Sequence, residues 1–439
     1  MSGNEPLASP PVTFSKRRAL TQDLAISYLM QQGVENPQVI SLAAGLVDPL
    51  TLPVTETAEA AQRILANPTS ALGSLQYGTT SGYIRLRRLI LDHFATLEKS
   101  SPEQLGIGPD RVLLTTGSQQ LLSLVCEVLL DPGDICFVAG PTYFVFAGNL
   151  SGVGARAVTI PSDEHGMDID ELDRAFAELN QSGELSRVKM IYVVSYYDNP
   201  GGTCLSESRR RQLIEVAKKW SRDHQIFILE DAAYRELRYD GPELPSIWGA
   251  DESRERVIYT QTFSKTFSPG VRVGFGIVPS SLVQAIIDRK GNEDFGSSNF
   301  AQHLIADVLQ HGTYGSHLEA VKTGYTAKRD AMLAAAEEFF SELPGVSWHH
   351  PHGGLYVWMS LPKEIATGFN SELFRAALKQ GVMYVPGEIC YAASSESIPS
   401  HQMRLSYGVQ TCEGIRLGMQ RLSVAVHEVM RIGDFIRRT

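Results

Sequence analysis

Cysteine is scarce in this chain and has no pattern. Cys126, Cys136, Cys204, Cys390 and Cys412 are odd in number and lack metal-ligand spacing. They spell neither a disulfide framework nor a metal centre, and read as reduced thiols of a cytoplasmic protein. Positive charge is also short. The 39 Lys and Arg stand against 49 Asp and Glu, a formal charge of −10, which argues against a nucleic acid or a membrane as the main partner. Residues 1–16 lack the apolar core of a secretory signal and contain Pro6, Pro10 and Pro11. They read as a flexible arm, with a short organelle transit peptide as the alternative. Repeats and low-complexity tracts are missing too. What remains, 439 residues of which 43% are hydrophobic and 20% charged, suits a globular protein with two domains and a large core.

The order of that core is written in an alternation. Apolar runs of strand length at 112–115, 135–139, 188–194, 226–230, 256–260 and 272–278 alternate with helix-patterned stretches such as 118–130 and 206–222. This predicts an α/β fold with a mainly parallel sheet covered by helices, and ligands at the C-terminal ends of its strands. Beyond it, a long helix is expected over 316–340, strands over 355–359 and 403–407, and an amphipathic stretch over 412–430. Together these form a smaller α+β domain, whose last stretch reads as a core-packing face rather than a partner helix.

Polar residues at the ends of the apolar runs carry the chemistry. Val112 to Gln120 reads as strand, glycine turn and helix start, with Gly117, Ser118 and Gln119 where backbone N–H groups and the helix dipole hold an anion. The run 135–139 leads into Gly140-Pro141-Thr142-Tyr143. Ile191 to Val194 leads into an Asn199-Pro200-Gly201-Gly202 turn, placing Asn199 at a strand's C-terminal end. Ile226 to Glu230 leads into Asp231-Ala232-Ala233-Tyr234. A carboxylate ending such a run is costly to bury, so Asp231 needs a cationic partner. The run Thr262-Phe263-Ser264-Lys265 through Arg272 is a short match taken alone and draws its weight from the others. Finally, Arg404 in Met403-Arg404-Leu405-Ser406-Tyr407 sits in an apolar strand and needs an anion for its own sake.

As a set, spanning residues 38 to 425, these segments resemble pyridoxal-phosphate enzymes of fold type I, the class I/II aminotransferases. The resemblance implies that Lys265 bonds to the coenzyme aldehyde. It also implies that Thr262, Arg272, Gly117, Ser118 and Gln119 hold the phosphate, that Tyr143 stacks on the ring and that Asp231 pairs with the pyridine nitrogen. Asn199 and Tyr234 donate to the phenolic oxygen. Arg404 forks onto the substrate α-carboxylate, beside Gly45 of the Ser41-Leu42-Ala43-Ala44-Gly45 segment. Gly353 to Trp358 resembles the small-domain Gly-Gly-x-[FY]-x-Trp. Tyr77, in Leu75-Gln76-Tyr77-Gly78, resembles the tyrosine that reaches the phosphate of the neighbouring subunit, implying a homodimer with shared sites.

The same resemblance implies a mixed, mainly parallel sheet of seven strands in a large domain (53–312), a small C-terminal domain (313–439), and an arm with part of the small domain (1–52). The implied function is transfer of an amino group from an α-amino acid to a 2-oxo acid such as 2-oxoglutarate. The spacing from Lys265 to Arg272 and the Tyr77 segment resemble the subgroup acting on aromatic amino acids, kynurenine and 2-aminoadipate. Tyr143, Tyr77 and Phe14 are candidate linings of an apolar side-chain pocket. Two alternatives stay open. One is a lyase, synthase or oxidase on the same fold; the other is a coenzyme-binding effector module, for which about 40 residues before the first motif leave little room for a DNA-binding extension.

Overall fold

The computed structural model describes residues 12–20, 35–36, 38–392 and 398–438, without the side chains of 432–438. Most of the expected arm lies outside the described residues. Fourteen strands occur among them: β1 (Ile40–Ser41), β2 (Val112–Thr115), β3 (Ile135–Gly140), β4 (Arg156–Asp163), β5 (Gly166–Met167), β6 (Val188–Val194), β7 (Phe227–Asp231), β8 (Val257–Thr262), β9 (Gly274–Ile277), β10 (Ser347–Trp348), β11 (Tyr356–Ser360), β12 (Val382–Met383), β13 (Val385–Pro386) and β14 (Gln402–Ser406).

The large sheet has the order β2-β9-β8-β7-β6-β3-β4-β5. Strands β8, β7, β6, β3 and β4 pair in parallel, while β9 runs antiparallel to both its neighbours. The sheet is thus mixed and mainly parallel, with one more strand than expected, because the two-residue β5 closes a hairpin on β4. Strands β2, β7, β8 and β9 are buried throughout, since helices cover both faces and no polar alternation is needed. Strand β4, covered on its outer side only by the two-residue β5, has a half-exposed pattern.

Helix Ser118–Leu129 follows β2 directly and Glu207–Trp220 follows β6. The smaller sheet has the order β10-β11-β14-β13 and is antiparallel throughout. Helix Thr313–Phe340 packs against the terminal helix Cys412–Arg438 beside it. Strand β1 pairs in parallel with β12, and Ser406 N–H donates to the Leu42 carbonyl at 2.7 Å. The segment after β1 is therefore fixed to the smaller sheet. It crosses above the C-terminal ends of the large sheet, where the site lies.

Candidate active site

Strands β2, β3, β6, β7 and β8 run in one direction, so the residues following them converge. Gly117, Ser118, Gln119, Tyr143, Asn199, Asp231, Tyr234, Thr262, Lys265 and Arg272 line one cleft. It holds about 660 Å³ of free space including its open mouth, a volume suited to a small-molecule ligand. Gly45 and Arg404 join through hydrogen bonds. The Lys265 amine donates to the Gly45 carbonyl at 2.8 Å, and Arg404 donates to Asn199 Oδ1 and to the Ala43 carbonyl, both at 2.7 Å. Asn199 is not at the strand end as expected. Strand β6 stops at Val194, and Asn199 stands five residues on, in a loop whose Asp198 carboxylate accepts from the Thr203 N–H and hydroxyl at 2.7 and 2.8 Å.

At one end of the cleft, the turn into helix Ser118–Leu129 has Gly117 at φ +71° with no side-chain cap, leaving the first N–H groups aimed at the cleft. Backbone crowding makes this cradle possible only without side chains. A Cβ on Gly117 would meet Arg272 Nη2 at 2.9 Å, and one on Gly274 would meet the Gly117–Ser118 peptide at 2.5 Å. Arg272 is itself in the left-handed region, φ +52°, and donates to carbonyls of Pro269 and Thr116. Thr262 Oγ1 sits beside it, donating to Ser264 Oγ at 2.9 Å.

At the other end, Asp231 is buried and accepts from the Tyr192 hydroxyl at 3.0 Å and the Ala233 N–H at 3.1 Å. Burial pushes its pKa up to about 6. Lys265 is half-buried, and desolvation lowers its pKa, helped by the Arg404 and Arg272 charges. Among the described residues no carboxylate lies within ion-pair distance of Lys265, Arg272 or Arg404, and no cation pairs with Asp231. Arg404 is buried with its Nε unpartnered. Three cations and one carboxylate around a single cleft thus lack counter-charges.

That arrangement fits pyridoxal phosphate bound with an amino acid. The phosphate dianion suits Arg272 and the helix start, a protonated pyridine nitrogen suits Asp231, and a substrate carboxylate suits Arg404. Lys265 needs no anion, since a lysine of lowered pKa is a ready nucleophile toward an aldehyde.

Tyr356 is a site residue that its motif contained without its role being evident. Its hydroxyl lies 3.2 Å from that of Tyr234, and its ring stacks 4.4 Å from the Arg404 guanidinium carbon. A Cβ on Gly45 would come within 2.9 Å of its hydroxyl. The signal was the aromatic position in Gly353-Gly354-Leu355-Tyr356. Tyr77 and Phe14, by contrast, are 83% and 70% exposed and do not line the cleft of this chain. Arg289 and Lys290, downstream of the lysine motif, are occupied by Glu127 and Asp294.

The fold and site define a pyridoxal-phosphate enzyme of fold type I. The chain belongs to the aminotransferase class I and II family, whose model matches residues 37–419, and it is a pyridoxal-phosphate-dependent aminotransferase acting on amino acids. It is 34% identical to aromatic-amino-acid aminotransferase 1 of Thermococcus litoralis over 97% of this chain and 98% of that one. The kynurenine aminotransferase of Pyrococcus horikoshii, solved with PMP, KYN and KYA, is 33% identical with a TM-score of 0.85, over 94% and 97% of the two chains. The α-aminoadipate aminotransferase of Thermus thermophilus, solved with N-(5'-phosphopyridoxyl)-L-leucine, is 32% identical with a TM-score of 0.81, over 95% and 98%.

Proposed function

We propose that this aminotransferase takes aromatic and 2-aminoadipate-like amino acids and passes their amino group to a 2-oxo acid such as 2-oxoglutarate. The observation that carries the site assignment is the set of unpaired charges Lys265, Arg272, Arg404 and Asp231 around one cleft. The similarity to aromatic-amino-acid, kynurenine and aminoadipate enzymes supports the substrate class. The coenzyme supplies an aldehyde and an electron-accepting ring. Arg272, Thr262 and the N–H groups from Gly117 to Gln119 hold its phosphate, Tyr143 covers its ring, and Asp231 keeps its nitrogen protonated. Asn199 and Tyr234 donate to its phenolic oxygen.

Arg404 receives the substrate carboxylate in a bidentate fork, oriented by Asn199 and the Tyr356 face. Lys265, its pKa lowered by burial, would serve as the base that takes the proton from the substrate Cα and, once protonated, as the acid that gives it back. The amine donates to the Gly45 carbonyl at 2.8 Å.

A homodimer with Tyr77 serving the partner's site fits the exposed apolar side chains Leu72, Leu75, Tyr77 and Phe295, 61–83% exposed, with the Tyr77 and Phe295 rings 5.6 Å apart. Domain boundaries near 52 and 312 are part of this reading, and the start of helix Thr313–Phe340 supports the second. Five free thiols suit a cytoplasmic setting. No described helix is long and apolar enough to cross a membrane.

Incubation with a panel of amino acids and 2-oxoglutarate, followed by coenzyme absorbance and product analysis, tests the reading. Glutamate formation with aromatic or aminoadipate donors is the expected result. Decarboxylated, eliminated or oxidised products with no glutamate would replace transfer by a lyase or oxidase reaction.

A further inference from the structure

Behind the cleft lies a buried carboxylate that the chemistry above does not use. Glu236 follows Tyr234 by two residues and is 7% exposed. Its Oε1 lies 2.9 Å from His93 Nε2 on helix Ile84–Leu97. Its Oε2 accepts from the Tyr314 hydroxyl at 3.0 Å, in the first turn of helix Thr313–Phe340, and from Gln261 Nε2, the residue before Thr262. Gln261 in turn accepts from the Tyr259 hydroxyl at 2.6 Å. One carboxylate thus joins the segment after β7 that carries Tyr234, the end of β8 that carries Thr262 and leads to Lys265, and two helices.

We propose that Glu236 is a positioning residue for coenzyme binding, holding the Tyr234 and Thr262–Lys265 segments in register, with His93 as the partner that keeps it ionised. An ionised carboxylate only accepts, so it satisfies all three converging donors, and a group bearing its own proton cannot. Around His93, the groups that face it are Glu236, the edge of the Tyr314 ring at 5.4 Å, and Arg235, itself paired with Glu98 at 2.6 Å. Burial disfavours the charged ring, but Glu236 outweighs it and the His93 pKa is raised; the Glu236 pKa is correspondingly lowered despite burial.

Glu236→Gln converts this geometry into a pH test. Two donors meet at Oε2, so the amide oxygen must stay there and the NH2 must face His93 Nε2. A neutral ring accepts from it, but a protonated ring presents a second donor. The measurement is the dissociation constant of pyridoxal phosphate from dialysed, folded apoprotein, read by absorbance and fluorescence from about pH 8 to about pH 5.5, as the ratio of variant to wild type.

In the variant, burial and the Arg235 charge act on His93 without the opposing carboxylate and hold its pKa below the ordinary histidine range, so the ratio is expected to stay near one down to about pH 6.5 and to rise several-fold only toward about pH 5.5. A flat ratio across this range together with an unchanged constant for Tyr314→Phe overturns the proposal. If Glu236→Gln does not fold, Tyr314→Phe decides. Loss of one donor is expected to weaken coenzyme binding several-fold at all pH values, and an unchanged constant overturns the assignment. Binding by the wild type separates this proposal from the coenzyme site on which it rests.

Discussion

At the scale of single residues, Lys265 and Asp231 give opposite tests. Removing the amine with Lys265→Ala is expected to abolish turnover, while Arg272, Ser118 and Asp231 still retain coenzyme. Borohydride reduction of the wild type is expected to fix the coenzyme to the peptide containing Lys265, and labelling of another lysine would reject the assignment. For Asp231 the argument is linkage. Its folded pKa of about 6 lies above the ordinary aspartate value near 3.9. Between those values the folded apoprotein binds more protons than the unfolded chain, so stability falls as pH rises through the window. The burden is fully present above about pH 6 and absent below about pH 4.

Asp231→Asn removes it. The variant amide can still accept from the Ala233 N–H and donate to the Tyr192 oxygen. Apoprotein melts at pH 7.5 are therefore expected to show the variant more stable by roughly 1–3 kcal/mol, with the gain vanishing near pH 4. Its proton abstraction, followed in single turnovers, is expected to fall, because the pyridinium loses its partner. Equal stability of variant and wild-type apoprotein at pH 7.5 would mean that Asp231 has a counter-charge of its own.

At the scale of elements, the site depends on close backbone approach between strands. β9 can pass under the turn from Gly117 to Ser118 only because Gly274 lacks a side chain. Gly274→Ala is expected to push the turn away and weaken coenzyme binding by at least about tenfold, with a loss of roughly 2 kcal/mol or more in stability from overpacking. Gly315, exposed in helix Thr313–Phe340 with nothing within 4 Å of where a Cβ would stand, serves as control. Gly315→Ala is expected to gain roughly 0.5–1 kcal/mol with unchanged binding. Equal coenzyme affinity in both variants would show that the turn tolerates displacement.

The same elements show what was legible in the sequence. Runs such as Val112–Thr115, buried throughout, and Val188–Val194, buried apart from Lys189 and Val194, fell where expected to the residue, because a mostly apolar stretch of strand length leaves one reading. β4 escaped notice because Arg156–Asp163 mixes charge, proline and apolar residues near a sheet edge. Gly274 escaped too, since only the crossing of two backbones gives it meaning. Tyr356 and Glu236 act through partners as far as 122 and 143 positions away, a relation that no local pattern encodes.

At the scale of the whole molecule, the question is whether one chain completes a site. Tyr77 is 83% exposed and outside the cleft of its own chain, in a segment resembling one whose tyrosine serves the neighbouring subunit's phosphate. A homodimer that buries this ring would place an apolar surface and a phosphate donor with one contact. The two inactive variants Lys265→Ala and Tyr77→Ala, mixed under conditions of verified subunit exchange, test this. If Tyr77 acts in trans, each hybrid dimer has one site with both lesions and one with neither. Activity is then expected to reappear at about a quarter of the wild-type level, since about half the dimers are hybrids with one intact site each. Hybrids confirmed by mass that stay inactive would assign Tyr77 to its own subunit. The experiment requires Tyr77→Ala alone to be severely impaired, which loss of a phosphate-directed hydroxyl predicts as raised coenzyme dissociation before any change in fold.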